Sequence, residues 1–192
     1  MTTTSPSQVT PSRQEETVVK MQQETVLKEP TFHQLTDSWT LWGHLPHDTD
    51  WSVRSYKKIF HITSVEEAVC ITESLPEVLV QNCMLFLMRD GIVPMWEDKQ
   101  NRNGGCFSYK VVNKNVYEVW RDLSYSIMGE TASNNKSFSE NINGITISPK
   151  KNFCIVKIWM KTCSFQNPSL VSVDSKGLTS NGCLFKKHSP EF

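Results

Sequence analysis

Two of the six tryptophans stand where no hydrophobic periodicity would bury them. Trp51 follows His-Asp-Thr-Asp in a polar stretch, and Trp96 comes shortly after Gly91 and Pro94, directly before Glu97-Asp98. Large rings in loops beside carboxylates suit a flat, cationic ligand. An indole face attracts delocalised positive charge, and stacking on a heterocyclic base adds about 1–3 kcal/mol per contact. A carboxylate in the plane of that base accepts two hydrogen bonds from neighbouring N–H donors. The competing account, that the tryptophans fill the core, suits Trp39, which begins a strand, and Trp120, which lies in a helical stripe.

Charge adds a second element. With 20 basic and 20 acidic residues the formal net charge is zero, which argues against a protein that coats nucleic acid electrostatically. Locally the balance breaks: from Asn141 to Val173 there is no Asp or Glu, while Lys150, Lys151, Lys157 and Lys161 all fall inside. Such a strip fits a few phosphates rather than a long duplex. The six cysteines contain no CxxC pair, so neither a zinc site nor a disulfide framework is expected. No paired acidic metal site or Gly-rich cofactor loop is visible, and no cofactor or catalytic role is expected.

These residues need a scaffold, and the periodicities supply one. Strand candidates are Ser38–Trp42, Tyr56–Ile62, Cys83–Met88, Phe107–Val111, Ile145–Ser148, Phe153–Trp159 and Ser169–Val173, most of them short and broken by Gly, Asn and Asp turns. Ser64-Val65-Glu66-Glu67 reads as a capping box, opening a helix with Ala68, Ile71 and Leu75 on one face and Pro76 at its end. A second helix is predicted from Lys114 to Met128, with Val116, Trp120, Leu123 and Ile127 as a buried stripe and Gly129 as its cap. Helices on one face of an antiparallel sheet make an α+β domain. Residues 1–30, with no aromatic, glycine or cysteine, read as a disordered tail, leaving 31–192 as the domain. No apolar run reaches membrane-spanning or secretory length, so a soluble protein of the cytoplasm or nucleus is expected.

The run Asp90-Gly91-Ile92-Val93-Pro94-Met95-Trp96-Glu97-Asp98, followed by Asn103-Gly104-Gly105, closely resembles the signature of the cap-binding translation initiation factors of the 4E type. His33, Ser38–Trp42, Trp51, Val65-Glu66-Glu67, Trp120, Gly129-Glu130 and Lys157-Ile158-Trp159 followed by Cys163 occur in the same order. The likeness covers roughly Phe32 to Cys163. It implies a curved antiparallel sheet shaped like a cupped hand, helices on the convex face, and the 7-methylguanosine cap of mRNA on the concave side. In that family Trp51 and Trp96 would sandwich the base, and Glu97 would take its Watson–Crick edge. Trp159 would touch the N7 methyl, and Lys150 would meet the phosphates where the family usually has arginine.

The departures matter as much. A second phosphate lysine of the family falls at Ile155, and a basic position beside the Gly-Gly falls at Cys106. Lys157, on the face of Trp159 two residues away, is the expected substitute. The family docks a helical peptide of the scaffold factor 4G, or of repressors that mimic it, on its convex face. The matching positions here are His33, Val65, Val69, Trp120, Arg121 and Tyr125, with Val69 replacing a tryptophan, Arg121 and Tyr125 replacing leucines, and Gln34 replacing a proline. The groove is therefore expected to be smaller and more polar. Two readings follow: an initiation factor, or a cap-binding repressor or specialised mRNA-selecting form that does not recruit the usual scaffold. The C-terminal part also lacks the family's long amphipathic helix, which would bare part of the sheet's back.

Overall fold

The computed structural model describes Met1 and residues 31–190. Apart from Met1, the expected tail over residues 1–30 lies outside the described residues. From Phe32 onward the chain forms one unit.

Its centre is a curved antiparallel sheet of strands β1 (Gln34–His44), β2 (Tyr56–Ser64), β3 (Met84–Arg89), β4 (Gly105–Val112), β5 (Ile142–Pro149), β6 (Phe153–Met160) and β7 (Leu184–Lys187), in the spatial order β2-β1-β3-β5-β6-β4-β7. Helices α1 (Val65–Ser74), α2 (Glu77–Asn82), α3 (Asn113–Met128) and α4 (Lys136–Ser139), with 3-10 turns at Val53–Ser55 and Pro168–Leu170, complete the described elements.

Strand alternation gives the sheet two apolar faces. On β6, Cys154, Val156, Ile158 and Met160 enter the main core, while Lys157 and Trp159 point the other way. On β3, Leu85 and Leu87 join that core and Phe86 and Met88 take the opposite face. Helix α3 lies on the core side, where Val116, Val119, Trp120, Leu123 and Ile127 are fully buried. The front face carries a smaller cluster of Trp42, Phe86, Met88, Ile92 and Trp159.

The capping box forms as expected: Glu67 N–H donates to Ser64 Oγ at 3.2 Å, and Ser64 N–H donates to the Glu67 carboxylate at 3.2 Å. Leu75 leaves the helical conformation, and Pro76 caps the next helix. Gly129 caps α3, but it is Glu130 that adopts the left-handed conformation, with φ 56°. This is costly for a residue with a Cβ, and the Glu130 carboxylate is held by the Arg89 guanidinium at 2.7 Å.

Two expectations are corrected. Ser169–Val173 is not a strand: Pro168–Leu170 is a 3-10 turn whose Ser169 N–H donates to the Asn167 side chain at 3.0 Å. Proline has no N–H for a ladder, and the side-chain cap favours the turn. Nor is the back of the sheet bared there. Phe165, Leu170, Val171, Val173 and Leu178 pack individually against the core, and Ser172 N–H donates to Ala132 O at 2.9 Å. The last strand is instead β7, paired with β4.

Candidate functional site

Two rungs of the sheet lay the floor of a cavity on the front face. Trp42 pairs with Phe86, Phe86 with Thr146, and Thr146 with Lys157. One step along, Met88 pairs with Gly144, Gly144 with Trp159, Trp159 with Cys106, and Cys106 with Lys186. Above this floor two loops supply the walls, enclosing a cavity of about 510 Å³. Trp51, Trp96, Glu97, Lys157 and Trp159 all line it.

The loop bearing Trp96 is held by a dense polar frame. Gly91, with φ 76°, turns the chain out of β3. Asp98 accepts from Val93 N–H at 3.0 Å and from Gln100 N–H at 2.8 Å. Asn101, fully buried, donates through Nδ2 to Val93 O at 3.0 Å and to Met95 O at 2.9 Å. Asn143 Nδ2 in turn donates to Asn101 Oδ1 at 2.9 Å. Buried, satisfied networks of this kind fix one loop geometry. Asp98 thus builds the loop, and its neighbour Glu97 faces the cavity. Gly104 is required because a Cβ there would lie 1.8 Å from Met160 O.

Trp51 is 52% exposed. Its loop is turned by Asp50, whose carboxylate accepts from Ser52 N–H at 2.8 Å. One indole face stacks on His44, with centroids 4.2 Å apart and planes 8° from parallel. Trp96 has a similar backing: His188, just beyond β7, stacks on it at 5.5 Å and 14°. Trp159 is only 4% exposed yet lines the cavity floor, its Nε1 donating to Thr146 Oγ1 at 2.7 Å. Tyr56 closes one side, edge-on to Phe86. Burial, followed by the charge of Glu97, raises its phenol to about 12, so it is a neutral wall.

Lys157 and Lys186 each bring an ammonium to 5.8 Å from the Trp96 ring centroid. The charge that the resemblance places at Cys106 is therefore refilled from the next strand, since Lys186 is the register partner of Cys106. Lys150 sits in the turn between β5 and β6, its N–H donating to Phe153 O at 2.8 Å, and like Lys186 it is not among the residues lining the cavity. Tyr56 and His188 carry no signal in the sequence, and Lys186 stands there only as one of the C-terminal lysines Lys176, Lys186 and Lys187 that could approach phosphates. Register across the sheet brings Lys186 and His188 to the site, and no spacing within one segment signals it.

On the convex side the expected docking positions fall into two groups. Val65 and Val69 are exposed, Val69 by 46%. His33 Nδ1 lies 2.6 Å from the Glu66 carboxylate, which holds that carboxyl below its usual range. Arg121 pairs with Asp122 at 3.3 Å, and Tyr125 donates to Glu73 at 2.7 Å. Trp120 is a correction: at 1% exposure it belongs to the core and offers a partner no surface.

The family model for eukaryotic initiation factor 4E matches residues 34–176. A 4E homolog of Acanthamoeba polyphaga mimivirus is 45% identical over 63 residues, covering 33% of this chain and 23% of that protein. Initiation factor 4E of Dictyostelium discoideum is 32% identical over 138 residues, covering 68% of this chain and 53% of its own length. The chain thus spans 23% of the length of the first of these relatives and about half, 53%, of the second. Among solved structures, Ascaris suum eIF4E-3 with m7G cap superposes with a TM-score of 0.62 at 23% identity, over 70% of this chain and 76% of that one. Schistosome eIF4E complexed with m7GpppG and 4E-BP gives 0.62 at 20% identity, over 70% and 75%.

Proposed function

This chain belongs to the eukaryotic initiation factor 4E family, and from that premise we propose that it binds the 7-methylguanosine cap of mRNA in translation initiation. The observation that carries the reading is the meeting of Trp51, Trp96, Glu97 and Trp159 around one cavity, together with the cap complexes formed by the structural neighbours. In this reading the cationic base stacks between the indoles of Trp51 and Trp96. Glu97 accepts from N1–H and the exocyclic amine, and Trp159 meets the methyl group. The role is one of binding: Glu97 and Asp98 are accounted for without catalysis. Retention on immobilised 7-methyl-GTP, with elution by 7-methyl-GTP and not by GTP, tests it. A folded protein that passes through unretained would refute it.

Lys157 and Lys186 are the phosphate contacts of this reading, with Lys150 in a peripheral part. Replacing Lys157 by Ala is expected to weaken 7-methyl-GTP binding about three- to tenfold and 7-methyl-GMP binding by less, because the longer phosphate chain carries more charge. Titration of both ligands at two salt concentrations checks this. An equal loss for the two would remove Lys157 from the phosphate site.

The convex face favours the second reading, a cap-binding repressor or mRNA-selecting form. Arg121 and Tyr125 are engaged with Asp122 and Glu73 where an apolar groove would be needed, and Val69, though exposed, is a smaller side chain than the tryptophan it replaces. A peptide bearing the Tyr-x4-Leu motif of the scaffold factor 4G or of 4E-binding repressors is expected to bind at least tenfold more weakly than to a 4E with the apolar groove. Fluorescence anisotropy with both proteins side by side gives the comparison. Matched affinities would restore conventional scaffold recruitment.

A further inference from the structure

His188 has a geometry that its sequence neighbours do not explain. It is 3% exposed, although it follows a short edge strand near the end of the described chain. Its backbone N–H donates to Gly104 O at 3.0 Å, and its Nδ1 lies 2.7 Å from Asn101 O. A carbonyl only accepts, so Nδ1 carries the proton and Nε2 is the bare nitrogen. Nε2 is buried without a partner. Burial, aided by the charge of Lys157, holds the imidazole below its usual range against the opposing pull of the hydrogen bond to Asn101.

The ring contacts give this geometry a purpose. His188 stacks on Trp96 at 14° and leans on Trp159 at 4.9 Å and 56°, yet it is not among the residues that line the cavity. It therefore covers one face of Trp96 and leaves the other to the cavity. Asn101 ties the parts together, because the residue whose carbonyl holds His188 also donates to Val93 O and Met95 O on the Trp96 loop. An indole on a loop has two side-chain torsions to fix before a base can stack on it, and fixing them in advance lowers the cost of binding.

We propose that His188 is a positioning residue for ligand binding: a flat ring, delivered by β7, that sets the plane of Trp96 against which the base stacks. The inference rests on the cap-binding reading for its ligand, but not for its effect on Trp96. A flat ring is what the site needs, so phenylalanine is the conservative replacement and alanine the disruptive one.

The test uses the full chain labelled with 5-fluorotryptophan, with the Trp96 resonance assigned by the W96F variant. In the free wild type the Trp96 fluorine signal is expected to be single and sharp. His188→Ala should broaden or split it, and should weaken 7-methyl-GTP binding about three- to tenfold. His188→Phe should return the sharp signal and most of the affinity. An unchanged signal in His188→Ala would overturn the proposal. So would a loss in His188→Phe equal to that in His188→Ala, since the ring would then not be what matters. If the wild type fails to bind 7-methyl-GTP while the fluorine signals behave as stated, the cap reading falls and the support of Trp96 by His188 stands.

Discussion

Glu97→Gln is expected to lower affinity for 7-methyl-GTP by about a hundredfold while leaving the melting temperature within a few degrees of wild type. In the proposed reading the carboxylate presents two acceptor oxygens to two donors on the guanine edge, and hydrogen bonds to a charged group contribute roughly 1.5–3 kcal/mol each. Glutamine keeps the shape but offers one oxygen and one NH2, so one of the two pairings becomes donor against donor. A loss of about 2.7 kcal/mol corresponds to that hundredfold change. Folding should be spared because the loop is framed by Asp98 and Asn101, while Glu97 lines the cavity. Isothermal titration beside a thermal melt separates the two quantities. Affinity within threefold of wild type would mean that Glu97 does not read the base.

Trp120→Ala should act in the opposite manner, with a destabilisation of about 3–5 kcal/mol, as for large-to-small changes at fully packed aromatic sites. Trp120 lies in the buried stripe of α3 with Val116, Leu123 and Ile127. Domains of this kind hold only about 5–15 kcal/mol in total, so the variant should unfold at markedly lower urea. Its folded fraction should bind 7-methyl-GTP as the wild type does, and any loss of a convex-face partner would follow from unfolding. Urea titration monitored by circular dichroism provides the measurement. A midpoint unmoved from wild type would return Trp120 to the docking surface.

Much of the fold could be read in advance where one residue series reports one environment. The stripe Val116, Trp120, Leu123, Ile127 predicts α3 because all four sit at 2% exposure or less. Strand β6 alternates between the core and the cavity along a single run, so Lys157 and Trp159 could be paired from spacing alone. Helix α2 was passed over because six residues hold too little periodicity to register. The segment after Cys163 misled because Leu170, Val171 and Val173 are β-branched or apolar, as strand residues are, yet each packs singly beside a proline-led turn. Tyr56 and His188 were hidden, and Lys186 could not be assigned, for another reason. Their part in the site depends on which strand lies beside which, and the β4–β7 pairing joins residues as distant in sequence as Gly105 and Lys187.

That pairing has a consequence for how the protein is made. Strands β1 to β6 emerge from the ribosome before β7, and contacts closing long loops form late because loop closure must precede any reward from them. A nascent chain stalled before Leu184 can assemble the sheet's centre and the Trp96 loop, but without Lys186 beside Cys106 or His188 behind the indole. The cavity would then reach its working shape only once β7 closes onto β4, which makes ligand competence a late event in the folding of the domain.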